Sequence, residues 1–348
     1  MSELEALEQV PDVGGPVQPL LQVRNLSKHF TVGDGLFGAK AVVRAVDDVS
    51  LTVNKGEVVG IVGESGCGKS TTARLIIGLI EPSSGKILFD GEPLGSALSL
   101  RELRRRVQMV FQDSYASLNP RLTIEDTIAF GPQVHGVPSA KAREQARELM
   151  RKVGLDPAVF AGRYPHELSG GQRQRVNIAR ALALAPRLVI LDEAVSALDK
   201  SVEAQVLNLL IDLKNEFGLT YIFISHDLHV IRFISDRIVV MYLGEVVESG
   251  PVDSVWDKPR HPYTEALFAA MPSLDPDRRT EKPPIAGDPP NPIDPPSGCR
   301  FHTRCAFAEP VCSSKAPKLS AVGVPRHSAA CHMVDPQSGH SLAGSRKG

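Results

Sequence analysis

Residues 58–71 read VVGIV-GESGCGKST: an apolar run of strand length, Val58–Val62, passes directly into the glycine-rich loop Gly63–Thr71. Every fixed position of G-x-x-x-x-G-K-[ST] is filled from Gly63 to Ser70, with a strand before the loop and a helix after it, the context that gives the pattern its meaning. The helix is expected to begin near Lys69 and to run through Ala73, Leu75, Ile76 and Ile77, with Gly78 and Pro82 near its end. Glycines let the backbone wrap closely, so that successive N–H groups and the helix N-terminus face phosphate oxygens. Lys69 would then reach the β- and γ-phosphates of ATP, and the Ser70 hydroxyl would ligate Mg²⁺. Gly63, Glu64, Ser65, Gly66, Cys67, Gly68, Lys69, Ser70 and Thr71 form the candidate phosphate site.

Four further motifs follow in order: FQD at Phe111–Asp113, LSGGQRQR at Leu168–Arg175, LVILDE at Leu188–Glu193 and SHD at Ser225–Asp227. A buried strand that delivers two acids at its end is unexpected for packing alone, because buried carboxylates are costly unless paired or used. Asp192 is read as the acid directed at Mg²⁺, and Glu193 as the group that polarises the attacking water. His226 ends another apolar strand, Tyr221–Ile224. Alone it would be a structural histidine, but after the paired acids it is a candidate γ-phosphate sensor. Gln112, weak alone, joins Ser70 and Asp192 as Mg²⁺-associated. Ser169 reads as a helix N-cap with Gln172 as its capping-box partner. That account leaves two consecutive glycines, Gly170 and Gly171, unexplained, since glycine is a poor helix former. A phosphate approaching the helix N-terminus would explain them.

At 348 residues and 42% hydrophobic, the chain has room for a substantial core. A net charge of −1 gives no field for nucleic acid. No apolar run approaches the roughly 20 residues of a membrane span. The acidic start MSELEALEQVPDVGG lacks the basic and apolar regions of a signal peptide. A soluble, cytosolic chain with reduced cysteines is expected.

Strand-like segments are expected at Leu20–Val23, Ala45–Val53, Val58–Val62, Leu188–Leu191, Thr220–Ile224 and Arg237–Met241, with a hairpin near Leu243–Glu245. Ser139–Val153 reads as an amphipathic helix with Ser139 as N-cap and Gly154 at its C-terminus. It interrupts the strand–helix alternation, which suggests a helical subdomain within an α/β core. Nine prolines between Pro272 and Pro296 mark a linker or an extended wrap. The expected organisation is a disordered N-terminus (1–18), an ATPase domain (19–271, helical subdomain about 113–185), a proline-rich linker (272–296), a four-cysteine module (297–335) and a disordered tail (336–348).

Leu168–Gln172 resembles the signature motif of ATP-binding-cassette (ABC) proteins. The resemblance implies a P-loop NTPase of ABC type, an α/β domain with an antiparallel β subdomain and an inserted helical subdomain. It also implies that Ser169, Gly170, Gly171 and Gln172 serve ATP bound by a second, facing ATPase subunit. Ser196-Ala197-Leu198-Asp199 resembles the loop through which the two sites communicate. Phe30, in LSKHF, is the candidate for stacking on adenine, with Phe37 as a competitor.

More narrowly, VGESGCGKST, FQDSYASLNPR, YPHELSGGQRQRV, SALDKSVEAQVLNLL and HPYTEAL together resemble the ATPase subunits of bacterial dipeptide and oligopeptide (peptide/nickel) importers. GDGLFGAKAVVRAVDDVS and ARLIIGLIEPSSG tilt the likeness toward the second of that family's two paired ATPases. Ala194 departs from the proline usual there but removes no catalytic group. The resemblance implies ATP and Mg²⁺ as cofactors and a translocase-type ATPase peripheral to the cytoplasmic face of the inner membrane. Its implied partners are a paralogous ATPase, two transmembrane permeases and an extracytoplasmic solute-binding protein, with no nucleic acid. Nickel or glutathione are alternative cargoes, and a soluble, non-transport ABC ATPase is the alternative class.

Cys299, Cys305, Cys312 and Cys331 follow the prolines with the spacing C-x5-C-x6-C-x18-C, unlike the close pairs of zinc fingers. Four thiolates suit a [4Fe–4S] cluster or Zn²⁺, or they stand unliganded. GCRFHTRC resembles the C-terminal cysteine module of the peptide-importer ATPases, which implies the iron–sulfur cluster.

Overall fold

The structure, a computed structural model, describes residues 15, 18–33, 41–271 and 287–347. Nearly all of the expected disordered N-terminus, Phe37, residues 272–286 of the proline-rich stretch and the last residue of the tail lie outside these residues.

The strands are β1 (Leu21–Val32), β2 (Ala41–Val53), β3 (Val58–Val62), β4 (Ser84–Phe89), β5 (Glu92–Pro93), β6 (Val107–Val110), β7 (Leu188–Asp192), β8 (Thr220–Ile224), β9 (Arg237–Tyr242), β10 (Glu245–Pro251), β11 (Ser320–Ala321) and β12 (Ser328–Ala329). The helices are α1 (Lys69–Ile76), α2 (Leu100–Arg106), α3 (Ile124–Val134), α4 (Ser139–Lys152), α5 (Pro157–Phe160), α6 (Gly170–Leu182), α7 (Lys200–Phe217), α8 (Leu228–Ile234), α9 (Val252–Asp257), α10 (Pro262–Ala269) and α11 (Pro310–Ser314). The described residues form two compact units, one from those up to 22 with 52–58 and 88–225, the other from 23–33, 41–51, 59–87, 226–271 and 287–347.

In the first unit β6, β7 and β8 pair in parallel, with Met109 opposite Ile190 and Ile190 opposite Ile222. Every residue of β7 and β8 is buried, the mark of strands covered on both faces. Helices α3, α4 and α6 make the helical part. Helix α4 buries Ala142, Ala146, Leu149 and Met150 on one face, as their spacing requires. Ser139 does not cap it. Pro138 occupies the N-cap with φ −54° and ψ 139°, a non-helical entry that its ring favours. Ser139 instead accepts a hydrogen bond from Gln133 at 3.2 Å. Gly154 follows the helix with φ +75°, a left-handed turn that suits glycine.

In the second unit β3 runs parallel to β9, with Ile61 opposite Val239. Strands β9 and β10 form a hairpin whose turn residues, Leu243 and Gly244, both have positive φ, the two-residue geometry that matches strand twist. The C-terminal segment departs from the expected separate module. Strand β12 pairs with β10, Glu248 opposite Ala329 and Ser249 opposite Ser328, and β11 pairs with β12. His327 and Glu248 close this junction with a buried contact of 2.7 Å. The expected disordered tail also packs: Ser338 and His340 are buried, and Arg346 pairs with Glu265 at 2.8 Å. Two-residue strands carry no readable alternation, and His340 and Ser338 sit in a sequence whose composition reads as solvent-facing.

Candidate nucleotide site

Strand β3 delivers the chain into the glycine-rich loop. Gly63 has φ +149°, and a Cβ there would stand 2.2 Å from the Met241 carbonyl oxygen; Gly68 has φ +106°, and its Cβ would stand 2.3 Å from the Ala45 carbonyl oxygen. Neither position admits a side chain. Gly68 is the N-cap of α1. Lys69, buried at the helix start, donates from Nζ to the carbonyls of Gly63 at 2.7 Å and Glu64 at 2.9 Å. Cys67 is buried beside it, and burial pushes its thiol up despite the Lys69 ammonium that favours the thiolate. Such a thiol is inert rather than reactive.

Glu64 is held from elsewhere in the unit. Its N–H donates to the Tyr263 hydroxyl at 2.8 Å, and its carboxylate accepts from both terminal nitrogens of Arg304 at 2.8 and 3.0 Å. Phe30, on β1, is 37% exposed, and the Lys28 ammonium lies over its ring, 5.2 Å from the centroid. The neighbouring His29 contacts Asp47 of β2 at 3.1 Å, and Asp47 also pairs with Arg300. Burial pushes the Asp47 carboxyl up, but hydrogen bonds from Arg300 and His29 outweigh it and hold it below the usual carboxylate range. His226 follows β8 in the short loop whose Asp227 caps α8 by accepting from the N–H groups of His229 and Val230.

In the first unit Asp192 ends β7 with its side chain buried. Glu193 then adopts φ +49°, a conformation rarely held without support from its surroundings. That support is visible. Its N–H donates to the Ile224 carbonyl at 2.9 Å, and Ser196 Oγ donates to its carbonyl at 2.9 Å. Gln112 Nε2 donates to Glu193 Oε2 at 2.9 Å, so the structure brings Gln112 to the acid rather than giving it a position of its own. Ser169 and Gln172 form the expected capping box, at 3.3 and 2.9 Å. Of the two glycines behind them, Gly171 has a packing reason: its Cβ would stand 2.5 Å from Val202 Cγ1. Gly170 has none, with Leu198 no closer than 3.8 Å to a Cβ there. Ser196–Asp199 leads into α7, with Asp199 at its N-cap position.

Cys299, Cys305, Cys312 and Cys331 line one pocket, with His302 and His332 beside them. All four thiols are free. Burial, reinforced by the neighbouring thiols, pushes Cys299 up to about 12 and Cys331 to about 11. Among the described residues no group of three or more His, Cys, Asp or Glu side chains is arranged to hold a metal ion, an observation that supports neither the expected iron–sulfur cluster nor zinc. Sequence reasoning missed Tyr263, Arg300 and Arg304 as contacts of the nucleotide-site strands and loop. They stand inside HPYTEAL and GCRFHTRC, segments that carry a family likeness but no chemical motif.

The chain matches the ABC transporter family at residues 46–196 and the oligopeptide/dipeptide transporter C-terminal region at 247–312. It is 52% identical to the probable peptide ABC transporter ATP-binding protein y4tS of Sinorhizobium fredii, over 91% of this chain and 90% of that one. It is 49% identical to the oligopeptide transport ATP-binding protein AppF of Bacillus subtilis, over 91% of this chain and 98% of that one. Among solved structures, cbiO1 of Clostridium perfringens, part of the ABC transporter complex cbiONQ, is similar with a TM-score of 0.59 and 29% identity, covering 69% of this chain and 91% of that one. The fold and the matched motifs define an ABC ATPase. The chain belongs to the ABC transporter ATP-binding proteins, in the group that carries the oligopeptide/dipeptide transporter C-terminal region. It is an ATPase coupled to transport, and ATP with Mg²⁺ is what its ABC domain uses.

Proposed function

We propose that this chain energises the import of dipeptides or oligopeptides. The observation that carries this reading is the match of residues 247–312 to the peptide-transporter C-terminal region beside the ABC match at 46–196. In this reading Lys69 and the loop N–H groups hold the β- and γ-phosphates, and Ser70, Asp192 and Gln112 organise Mg²⁺ and its water. Glu193 polarises the attacking water, oriented by Gln112, and His226 senses the γ-phosphate. Phe30 stacks on adenine. Ser169, Gly170, Gly171 and Gln172 close over ATP on a facing ATPase, a paralogue, and Ser196–Asp199 couples the two sites. Most of the rate enhancement is electrostatic, from charges and dipoles fixed around the transferring phosphoryl group.

Among the described residues no helix is long and apolar enough to cross a membrane. In this reading the motion passes to separate permease subunits, with this chain peripheral on their cytoplasmic side. A solute-binding protein selects the cargo. The four pocket-lining cysteines hold an iron–sulfur cluster in this reading, supported by their convergence on one pocket. Anaerobic purification should then give a brown protein that loses colour and iron in Cys305→Ser; a colourless parent without iron removes the cluster from the proposal.

Affinity purification from native membranes, with mass spectrometry of what stays bound, tests the transport assignment. Two polytopic permeases, a second ATPase and a peptide-binding protein are the expected recovery. A nickel- or glutathione-binding protein in place of the last would change the cargo, and recovery with ribosomal or nucleic-acid partners would overturn transport itself.

A further inference from the structure

Glu64 is the one acidic residue in the loop Gly63–Thr71. A carboxylate there would repel an incoming triphosphate, and like charges in a partly desolvated site interact strongly. The chain supplies a counter-charge from 240 positions away. Arg304 forks onto Glu64, Nη1 to Oε2 at 2.8 Å and Nη2 to Oε1 at 3.0 Å, with 6% of the arginine side chain exposed and 23% of the glutamate's.

The arginine is itself fixed. Nη2 also donates to the Gly287 carbonyl at 3.0 Å, and the guanidinium lies 5.9 Å from the centroid of Tyr242. Tyr242 packs on Tyr263 with centroids 4.6 Å apart, and Tyr263 is the residue that accepts the Glu64 N–H. Backbone and carboxylate of Glu64 are thus both pinned by the C-terminal part of the chain. An exposed ion pair would contribute little. A forked, largely buried arginine–carboxylate pair held by packing is directional and strong.

We infer that Arg304 is a positioning residue for the nucleotide: it neutralises Glu64 and fixes the first turn of the loop, so that the triphosphate meets no uncompensated negative charge. This rests on the reading of Gly63–Thr71 as the ATP phosphate site. The cysteine-bearing segment is then part of the nucleotide site, not an appendage to it.

The test uses the full chain, with the Kd of a fluorescent ATP analogue and Mg²⁺ read by anisotropy, and KM and kcat read in the assembled transporter. Arg304→Ala should raise Kd and KM about 3- to 10-fold with kcat changed less than about twofold. Adding Glu64→Gln to it should return Kd to within about twofold of the parent, because the unpaired charge is gone. A merely structural arginine would not be rescued in this way. An unchanged Kd in Arg304→Ala, or a double variant as weak as the single, overturns the inference. Should Arg304→Ala fail to fold, Arg304→Lys decides: it keeps the charge but loses the fork, an intermediate Kd is expected, and a parental Kd overturns the idea. Lys69→Ala is the control, expected to abolish binding. Full binding in that variant would mean that the phosphate-site reading has failed, whatever Arg304 does.

Discussion

Glu193 sits where a strand buried on both faces must stop, and its left-handed φ of +49° turns its side chain away from the path that β7 would continue. Gln112 donates to its carboxylate at 2.9 Å, so the acid arrives oriented. If Glu193 polarises the attacking water, Glu193→Gln should retain ATP binding and lose at least about 10²-fold in turnover. ATP affinity and steady-state phosphate release, measured on one preparation, check both halves; turnover like that of the parent would remove Glu193 from the mechanism. The acid pair was legible in the sequence because charge at the end of an all-apolar strand has few uses. Its partner was not legible as such. Gln112 follows an apolar strand as Glu193 does, but only the parallel pairing of β6 with β7, Val110 opposite Leu191, sets the two strand ends side by side.

Elements differed in legibility according to how completely they are buried. Strands β3 and β8 have the bounds read from sequence, since five-residue apolar runs rich in β-branched and aromatic side chains are too short for a helix and suit a buried strand. Strand β1 is longer than expected, Leu21–Val32 against Leu20–Val23, because its last five residues, Lys28–Val32, are partly or fully exposed and read as loop. Helix α6 was expected from its capping box, but its two glycines have different reasons. Gly171→Ala should push Cβ into Val202, a stiff β-branched side chain, and cost about 1–3 kcal/mol. Gly170→Ala should leave the melting temperature unchanged or higher while lowering transporter turnover. Chemical denaturation of both variants beside their ATPase rates separates packing from function.

The start of α10 offers a pH test. His261 Nδ1 accepts the Tyr263 N–H at 3.0 Å, which requires the neutral ring. Burial lowers its pKa from 6.5 to about 4, against the pull of Glu248. The unfolded chain therefore binds the proton first as pH falls. Its contribution is complete above about pH 6.5 and is lost toward pH 4, on the order of 3 kcal/mol across the window. His261→Asn, which can cap without titrating, should flatten the slope of stability against pH between those limits; an unaltered slope would exclude His261 as its source.

At the scale of the whole molecule, composition marked the prolines after Met271 as a boundary, and the chain crosses it without making a separate domain: β12 extends the sheet that carries β3, through β10 and β9. Long-range pairing of this kind leaves no local periodicity, which is why it escaped the sequence. The signature helix raises the complementary question of what this chain leaves unfinished. It holds one phosphate loop and one signature segment, and in the proposed reading they serve different ATP molecules, one bound here and one on the facing subunit. The two roles come apart in a single substitution. Ser169→Arg removes the cap acceptor and sets a bulky cation where the facing subunit's γ-phosphate would lie. Isolated Ser169→Arg chain should bind a fluorescent ATP analogue as the parent does, because its own loop is untouched. The assembled transporter carrying it should lose at least about tenfold in turnover, since interactions made only in the transition state are lost in full from the rate. If instead nucleotide binding to the isolated chain weakens as much as turnover does, with the melting temperature retained, the signature serves the same chain's ATP and the facing-subunit arrangement is wrong.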